Sequence, residues 1–353
     1  MFFKRIKYKG GEEMYSESKV EVFNQVRFEE SKVRIVTLRA EEFGGEYERR
    51  SWIYIGAIWL GSIWAMIKNL SKAFFIKLFK KPNTSLRKIL WEMGRNPKHV
   101  SIMLGDGLSI FNHRAKVYAA SWRALDMFYN YHEKVKPRLR GLVEKILTTY
   151  WMEMLENRQA VANRLKIVIH LLEDALKRFA GEPEVRIVSL ACGSAQSVIE
   201  VIRRHPTMNI KAVLVDLDKS AIEAARKRAK EAKVEDHCVF IHGTVSNLEK
   251  ICDKLGKPHI VEMVGLLDYR PDNKAICLIK RIRDCLLSGG YFLTSNICKN
   301  REKILLDWIL LWPMVYRKED EFAKILLEGG FSPEQTTILY EPFKIHGVAI
   351  CRV

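Results

Sequence analysis

Cysteine is missing from the first 191 residues of this 353-residue chain. The seven cysteines that follow, from Cys192 to Cys351, include no Cys-x-x-Cys pair and no histidine at ligand spacing. We therefore expect a reducing compartment, such as the cytoplasm, and no metal site. Residues 1–11 are rich in lysine but lack a long apolar core and a small-residue cleavage site, so they do not read as a secretory signal.

The whole chain has a net charge of +17, and acidic residues are scarce in its N-terminal part. Residues 1–150 contain 28 Lys and Arg against 15 Asp and Glu, whereas residues 151–353 contain 31 against 27. This uneven distribution favours an anionic partner for the N-terminal part, either phospholipid headgroups or nucleic acid. A basic surface that serves only solubility is the alternative.

Charged residues are absent from residues 51–67, a run of 17 that includes several tryptophans. A helix of that length spans about 25 Å, slightly less than the roughly 30 Å hydrocarbon core of a bilayer. Residues 68–81 then carry five lysines and no acid among apolar side chains. The composition of residues 51–81 therefore predicts a helix that docks on or crosses an anionic membrane. The alternative is a buried helix followed by a basic one.

The rest of the N-terminal half divides into two regions. Residues 1–50 are a poorly specified lead-in with a β-like run, Lys32–Leu38, that suggests a small hairpin. Residues 82–180 are almost entirely helical in pattern and are interpreted as a substrate or cap region. The alternation of strands and helices from residue 181 onward marks a separate domain.

The pattern of this C-terminal domain, residues 181–353, predicts a Rossmann-like, doubly wound α/β sheet of seven strands. A mainly helical extension precedes it. The last two strands are separated only by Glu341-Pro342-Phe343-Lys344, so we expect an antiparallel hairpin at the C-terminus. The strand-like runs are Val185–Leu190, Lys211–Val215, Cys238–His242, His259–Val264, Gly290–Ile297, Gln335–Tyr340 and Ile345–Cys351.

A complete Gly-x-Gly-x-x-Gly motif is also missing, and Gly193 is the single glycine in the turn Leu190-Ala191-Cys192-Gly193-Ser194-Ala195. The small residues of this turn let a ligand approach the backbone, and the helix that follows offers free N–H groups to an anion. Asp216 ends the next apolar run and offers two acceptors to a ribose diol. Asp218 is better placed than Asp216 to cap the following helix.

Five ordered motifs, together with the terminal hairpin, resemble the class I S-adenosylmethionine-dependent methyltransferases over residues 184–353. The motifs are residues 190–195, 215–218, 242–245, 261–269 and 286–293. The resemblance implies S-adenosylmethionine as the cofactor and methyl transfer as the activity. It further implies cofactor contacts by Ala191, Cys192, Gly193, Ser194, Ala195, Asp216, Leu217, Gly243, Thr244, Val245, Val264 and Gly265. Thr244 stands where many members of that family have an acid, so the backbone N–H of Val245 is the better candidate for adenine.

Candidates for catalysis follow the fourth strand of the resembled fold. Asp268 and Tyr269 stand where family members place acceptor-side residues, so they are candidates to orient or deprotonate the acceptor. A simple turn before the next helix is the alternative. Asn163 and Arg164 lie on a helix that commonly closes one side of the cofactor pocket, where they would reach a ligand carboxylate. An exposed helix face explains the same two residues.

The acceptor of the methyl group is not identified by any motif. The apolar and basic N-terminal part favours a lipidic or hydrophobic acceptor drawn from a membrane surface, because tryptophan, phenylalanine and isoleucine dominate residues 52–79. Positive helices that hold RNA through its phosphates are the alternative, which makes an RNA methyltransferase the second hypothesis. A protein that binds the cofactor or RNA without chemistry is the third.

Overall fold

The computed structural model describes residues 33–101 and 104–353. Predictions for residues 1–32, and the helical interpretation of residues 102 and 103, lie outside the described residues. A central sheet with helices on both faces confirms the predicted doubly wound α/β fold. Its strands are β1 Arg34–Thr37, β2 Val185–Leu190, β3 Ile210–Asp216, β4 Cys238–His242, β5 Ile260–Met263, β6 Tyr291–Ile297, β7 Thr336–Tyr340 and β8 His346–Arg352.

The strands lie in the order β1-β7-β8-β6-β5-β2-β3-β4. β8 runs antiparallel to both of its neighbours, and the other neighbouring pairs are parallel. The predicted C-terminal hairpin is therefore confirmed, and its last strand is inserted between β6 and β7. Because β2 to β5 are parallel, the turns that follow them meet at one edge of the sheet.

The structure corrects the sequence prediction at the start of the sheet. We expect seven strands and a small hairpin before them, but Arg34–Thr37 forms an eighth strand that pairs in parallel with β7. Leu38 N–H continues this pairing by donating to the carbonyl oxygen of Tyr340 at 2.9 Å. β7 would otherwise present an unpaired edge, so a segment distant in sequence completes it.

The turn between β7 and β8 is organised by one buried carboxylate. Glu341 accepts the backbone N–H of Phe343 at 2.8 Å through Oε2, and those of Ile345 and His346 at 2.6 and 3.0 Å through Oε1. These bonds satisfy backbone donors that would otherwise be buried without partners. They fix where β8 begins, and therefore where its first side chain, His346, lies.

Helices account for most of the remaining described chain. The helices between β1 and β2 are α1 Trp52–Phe79, α2 Leu86–Arg95, α3 Ile110–Val117, α4 Trp122–Tyr129, α5 Leu142–Met154 and α6 Glu156–Lys177. Those between the later strands are α7 Gln196–Arg204, α8 Lys219–Glu231, α9 Leu248–Leu255, α10 Asp272–Cys285, α11 Lys303–Trp308 and α12 Glu319–Glu328.

Ile55 of α1, Phe128 of α4 and Trp151 of α5 share a hydrophobic cluster with Leu305 and Trp312, which follow β6. The N-terminal helices thus pack over the segment that leaves β6.

α1 is a single helix of 28 residues that joins the charge-free run to the lysine-rich segment. The hydroxyl of Ser51 caps it by accepting the N–H of Tyr54 at 3.3 Å. Among the described residues, α1 is the one helix long and apolar enough to cross a membrane by length and composition, and 33% of its most apolar window is buried inside the protein.

Candidate active site

A cavity of about 360 Å³ opens at the edge of the sheet where the turns after β2 to β5 meet. Twelve of the residues singled out by the sequence line it. They are Arg164, Ala191, Gly193, Asp216, Leu217, Gly243, Thr244, Val245, Val264, Gly265, Asp268 and Tyr269. The convergence follows from the parallel strand order, since each motif occupies the carboxyl end of its strand.

The first wall of the cavity is the turn after β2. Ala191, Gly193 and Ala195 have φ angles of +53°, +56° and +51°, which lie in the left-handed region. Alanine is unfavourable there by about 1–2 kcal/mol per residue, so surrounding interactions must hold the turn in this shape. The turn thereby presents backbone, rather than side chains, to a bound molecule.

Asp216 supplies one of those interactions. Its Oδ2 accepts the N–H of Gly193 at 2.8 Å, and its Oδ1 accepts the N–H of Asp218 at 2.8 Å. Burial raises the pKa of this carboxyl, and the backbone donors oppose that rise. Asp218 caps α8 through Ser220, whose N–H it accepts at 2.8 Å, so Asp216 is not the capping residue. A carboxylate has about four acceptor sites, so Asp216 retains capacity for a diol.

Cys192, Ser194 and Ala195 lie beyond the wall of the main cavity. Cys192 and Ser194 line a smaller adjoining space of about 60 Å³, which shares Gly193 and Val264 with the main cavity. Ala195 is buried at the start of α7. Glu262 also lines the smaller space, where burial raises its pKa to about 7 and the Ser189 hydroxyl donates to it.

Arg164 and Asp268 form a buried pair between α6 and the turn after β5. Nη1 of Arg164 lies 3.8 Å from Oδ2 of Asp268, and its Nη2 donates to the hydroxyl of Tyr129 at 2.9 Å. Asp268 also accepts the N–H of Ile297 at 2.8 Å. Burial raises the pKa of Asp268 to about 6, although Arg164 and the Ile297 N–H favour its ionised form. The pair is anchored on both sides and forms a polar wall of the cavity.

Asn163 does not accompany Arg164 into the cavity. Its side chain instead binds the backbone of Glu46, accepting the N–H at 2.7 Å and donating to the carbonyl oxygen at 2.6 Å. Successive residues of a helix point about 100° apart, so Arg164 faces the cavity while Asn163 faces the lead-in. The interpretation of Asn163 as a pocket-closing residue is therefore corrected, and the residue anchors the chain before α1.

Tyr269 is held at the cavity by the segment after α11. Its hydroxyl accepts the indole Nε1–H of Trp312 at 2.7 Å. The ring of Trp312 stacks on Phe128 of α4, with centroids 6.5 Å apart. Tyr269 thus contributes to an aromatic wall, whose further apolar members are Trp122, Leu125, Leu306, Leu310 and Met314.

His346 lines the same cavity and was not identified from the sequence. The residue is 2% exposed, and neither ring nitrogen has a hydrogen-bond partner among the described residues. Burial and the nearby Arg164 cation lower its pKa well below 6.5, so the ring is neutral. Buried polar groups are normally paired, which makes an unpaired imidazole in a cavity wall a candidate ligand-contacting group. The only signal in the sequence is its place at the start of the last strand.

The described residues contain no candidate metal centre, because no group of three or more His, Cys, Asp or Glu side chains that could hold a metal ion occurs among them. The polar groups of the cavity are instead a carboxylate beside a nucleotide-type turn, a buried Arg–Asp pair and a neutral imidazole. Together with the aromatic wall, these groups suit an organic cofactor and an apolar second ligand.

Comparison with known proteins identifies a family. The model of a family described as "Putative methyltransferase" matches residues 70–299, nearly two thirds of the chain. The match begins within α1 and covers helices α2 to α6 and strands β2 to β6.

Solved structures resemble the fold at low sequence identity. A possible exported protein from Bordetella parapertussis aligns with a TM-score of 0.60 at 14% identity, over 84% of this chain and 96% of that one. Magnesium protoporphyrin IX methyltransferase from Synechocystis PCC 6803, with bound SAH, has a TM-score of 0.44 and 17% identity, over 64% of this chain and 96% of that one. An O-methyltransferase family protein from Burkholderia thailandensis has a TM-score of 0.44 and 14% identity, over 80% and 71%. At these identities the Bordetella likeness concerns the fold alone.

Proposed function

The chain belongs to this family of methyltransferases, and we propose that it transfers a methyl group from S-adenosylmethionine to a hydroxyl group of a hydrophobic small molecule. The observation that carries the proposal is the composition of one cavity. A single space of about 360 Å³ is lined by the Gly193 turn, by Asp216, by an apolar aromatic wall and by the unpaired ring of His346.

The residues at the sheet edge fit the proposed cofactor. The left-handed turn at Ala191 and Gly193 exposes backbone to the methionine part, and the remaining acceptor sites of Asp216 suit the ribose hydroxyls. Leu217 and residues 243–245 would hold the adenine, with Val264 and Gly265 beside it. Cys192, Ser194 and Ala195 would act through the shape of the turn, since they lie off the main cavity wall.

Thr244 supports the choice of the Val245 backbone for adenine contact. The Thr244 side chain accepts the N–H of Ser246 at 3.2 Å, and its own N–H donates to Asn247 at 2.9 Å. Both groups are thus used within the turn after β4. This leaves the backbone beside it as the more suitable donor for an adenine ring.

His346 is the proposed proton acceptor of the reaction. When bound, S-adenosylmethionine would supply an electrophilic methyl group to the acceptor oxygen and leave as S-adenosylhomocysteine. The hydroxyl proton of the acceptor would pass to a ring nitrogen of His346, since neither nitrogen has a hydrogen-bond partner among the described residues. The buried pair of Asp268 and Arg164, which lies near His346, would position the acceptor, and Tyr269 shapes the wall. The apolar wall excludes water from the reacting atoms.

A hydrophobic acceptor is favoured over RNA by the lining of the cavity. Its apolar lining comes from α4 (Trp122, Leu125 and Phe128) and from α11 and the segment after it (Leu306, Leu310, Trp312 and Met314). Phosphate recognition would call for lysine or arginine side chains along an open groove. Arg158, Arg164 and Arg270 are the cavity's arginines, and Arg158 is already paired with Glu46 while Arg164 faces Asp268.

Two measurements test the proposal. Titration calorimetry of the full chain with S-adenosylhomocysteine should give saturable binding, and its absence would overturn the cofactor assignment. Methyl-labelled S-adenosylmethionine should then label a lipid-soluble small molecule when the protein is mixed with cell extract and the products are fractionated. Label recovered in RNA would establish the RNA alternative, and binding without any transfer would establish a non-catalytic protein.

A further inference from the structure

The surface of α1 has an unusual arrangement of side chains. Its buried residues are Ile55, Ile58, Gly61, Ser62, Ala65, Asn69 and Ala73, which, apart from the adjacent Gly61 and Ser62, are spaced three or four apart along one face. From Gly61 onward the fully buried residues of this face are small or polar, whereas Met66, Leu70 and Ile76 are half-buried. A helix of a water-soluble protein normally buries its large apolar side chains and exposes its polar ones. The protein-facing side of α1 is poorer in large apolar groups than that rule predicts.

The large apolar side chains of α1 lie on its solvent side. Ile53 is 87% exposed, Leu60 74% and Trp64 67%. Others on the exposed surface of this helix are Trp52, Trp59, Ile63, Ile67, Phe74, Phe75, Leu78 and Phe79. Burying each such side chain would contribute about 1.5–3 kcal/mol, so their collective exposure marks an interaction surface. We call this surface the α1 face.

Lysines border the α1 face on both sides. At about 100° per residue, Ile53, Leu60 and Ile67 lie along its centre, with Lys68 on one flank and Lys77 on the other. No acid occurs between residues 51 and 81. Lysine stems can lie along apolar material while the ammonium groups reach outward, so this arrangement matches an anionic lipid interface.

The helix lies along the protein and is fixed there. The side chain of Asn69 donates to the carbonyl oxygen of Trp308 at 2.8 Å, and Nε1 of Trp59 donates to that of Arg301 at 2.7 Å. Crossing a bilayer would require these contacts, and the buried stripe, to leave the fold. The geometry therefore favours a helix that lies in the interface over one that spans it.

We propose that the α1 face docks this protein on the surface of an anionic phospholipid bilayer, with its apolar side chains in the interface and its flanking lysines at the headgroups. The family match and the cavity play no part in this inference. Because α1 shares a hydrophobic cluster with Leu305 and Leu306 of α11, a docked protein would place the cavity one helix layer from the lipid.

Vesicle sedimentation of the full chain tests the proposal without any cofactor. Wild-type protein should sediment with vesicles of equal parts phosphatidylcholine and phosphatidylglycerol, and more weakly with phosphatidylcholine alone or at high salt. The double variant Leu60→Glu/Trp64→Glu should lose at least about tenfold in vesicle affinity. The charge-reversal variant Lys68→Glu/Lys72→Glu should lose binding to the anionic vesicles specifically.

The matched control is Leu142→Glu on α5, since Leu142 is also strongly exposed, at 73%. It should bind vesicles as the wild type does, and circular dichroism should show all variants folded. Wild-type protein that stays in the supernatant would overturn the proposal, as would equal binding by Leu60→Glu/Trp64→Glu. A dimer in lipid-free buffer that this double variant dissociates, without vesicle binding, would show that a second copy covers the α1 face instead.

Discussion

The backbone N–H of Gly193 donates to Oδ2 of Asp216 at 2.8 Å and joins the turn after β2 to the end of β3. Oδ1 of the same carboxylate is held by the N–H of Asp218. The acid is therefore fixed in position by the fold itself. A group that is already oriented loses little freedom when a ligand binds, which is the condition for strong charge-assisted hydrogen bonds.

Replacing Asp216 should weaken cofactor binding. Asp216→Asn removes the charge and turns one acceptor oxygen into a donor, which conflicts with either the Gly193 N–H or a ribose hydroxyl. We expect affinity for S-adenosylhomocysteine to fall about 10- to 100-fold, the equivalent of one or two hydrogen bonds to a charged group. Titration calorimetry measures the change. Asp174→Asn, on the exposed part of α6, is the control, and equal affinity of the two variants would contradict the ribose assignment.

Removing the imidazole of His346 should affect chemistry rather than cofactor binding. His346→Ala is expected to lower kcat by about 10²- to 10⁴-fold, the usual contribution of a general base. The dissociation constant of S-adenosylhomocysteine should change by less than about twofold. Labelled-methyl transfer into the lipid-soluble fraction gives the rate. Added imidazole should restore part of the activity, because the cavity left by the side chain can hold it.

The control for this experiment is His205→Ala at the end of α7, away from the cavity. A purely structural role of His346 would leave the variant destabilised and insensitive to imidazole, which would contradict the proposal. In the pH profile of the wild-type rate, His346 should contribute no inflection near pH 6.5, because burial and Arg164 hold its pKa well below that value. An inflection near pH 6 is instead expected from Asp268, whose pKa burial raises to about 6.

The sequence could predict those parts of the fold that depend on local pattern. Asp216 ends a parallel strand, and Gly193 and Asp268 lie in the turns after two others, so their order along the chain was enough to bring them to one edge. His346 belongs to an antiparallel strand, and its position depends on the register with β6, which no local pattern specifies. β1 was missed as a sheet member for the same reason, since its partner β7 lies about 300 residues away.

Glu262 should make stability depend on pH. Burial raises its pKa from 4.5 to about 7, so the folded state keeps a proton that the unfolded chain has already released. Stability therefore falls as the pH rises from 4.5 to about 7, and is constant above it. The groups that face this carboxyl are Ser189 on β2, Ser197 on α7 and Arg164 on α6.

The variant Glu262→Gln isolates this contribution. Its amide stays neutral and can still accept the Ser189 hydroxyl, so it should lack the pH-dependent loss. Between about pH 5 and about pH 8, the wild type should lose about 1–3 kcal/mol relative to the variant. Urea unfolding followed by circular dichroism measures both proteins. Parallel pH dependences would show that Glu262 is ionised throughout this range in the folded protein.

Substitutions of Asn163 test whether its side chain anchors the lead-in or holds a ligand. Asn163→Ala removes both hydrogen bonds to the backbone of Glu46, which leaves a half-buried N–H and carbonyl without these partners. We expect the free energy of unfolding to fall by about 1–2 kcal/mol. Asn163→Asp keeps an acceptor for the N–H but buries a carboxylate against the Glu46 carbonyl oxygen, so its free energy of unfolding should fall at least as far as that of the alanine variant. Affinity for S-adenosylhomocysteine should be unchanged in both variants, because the side chain faces away from the cavity. A fall in that affinity without a fall in stability would instead return Asn163 to the ligand pocket.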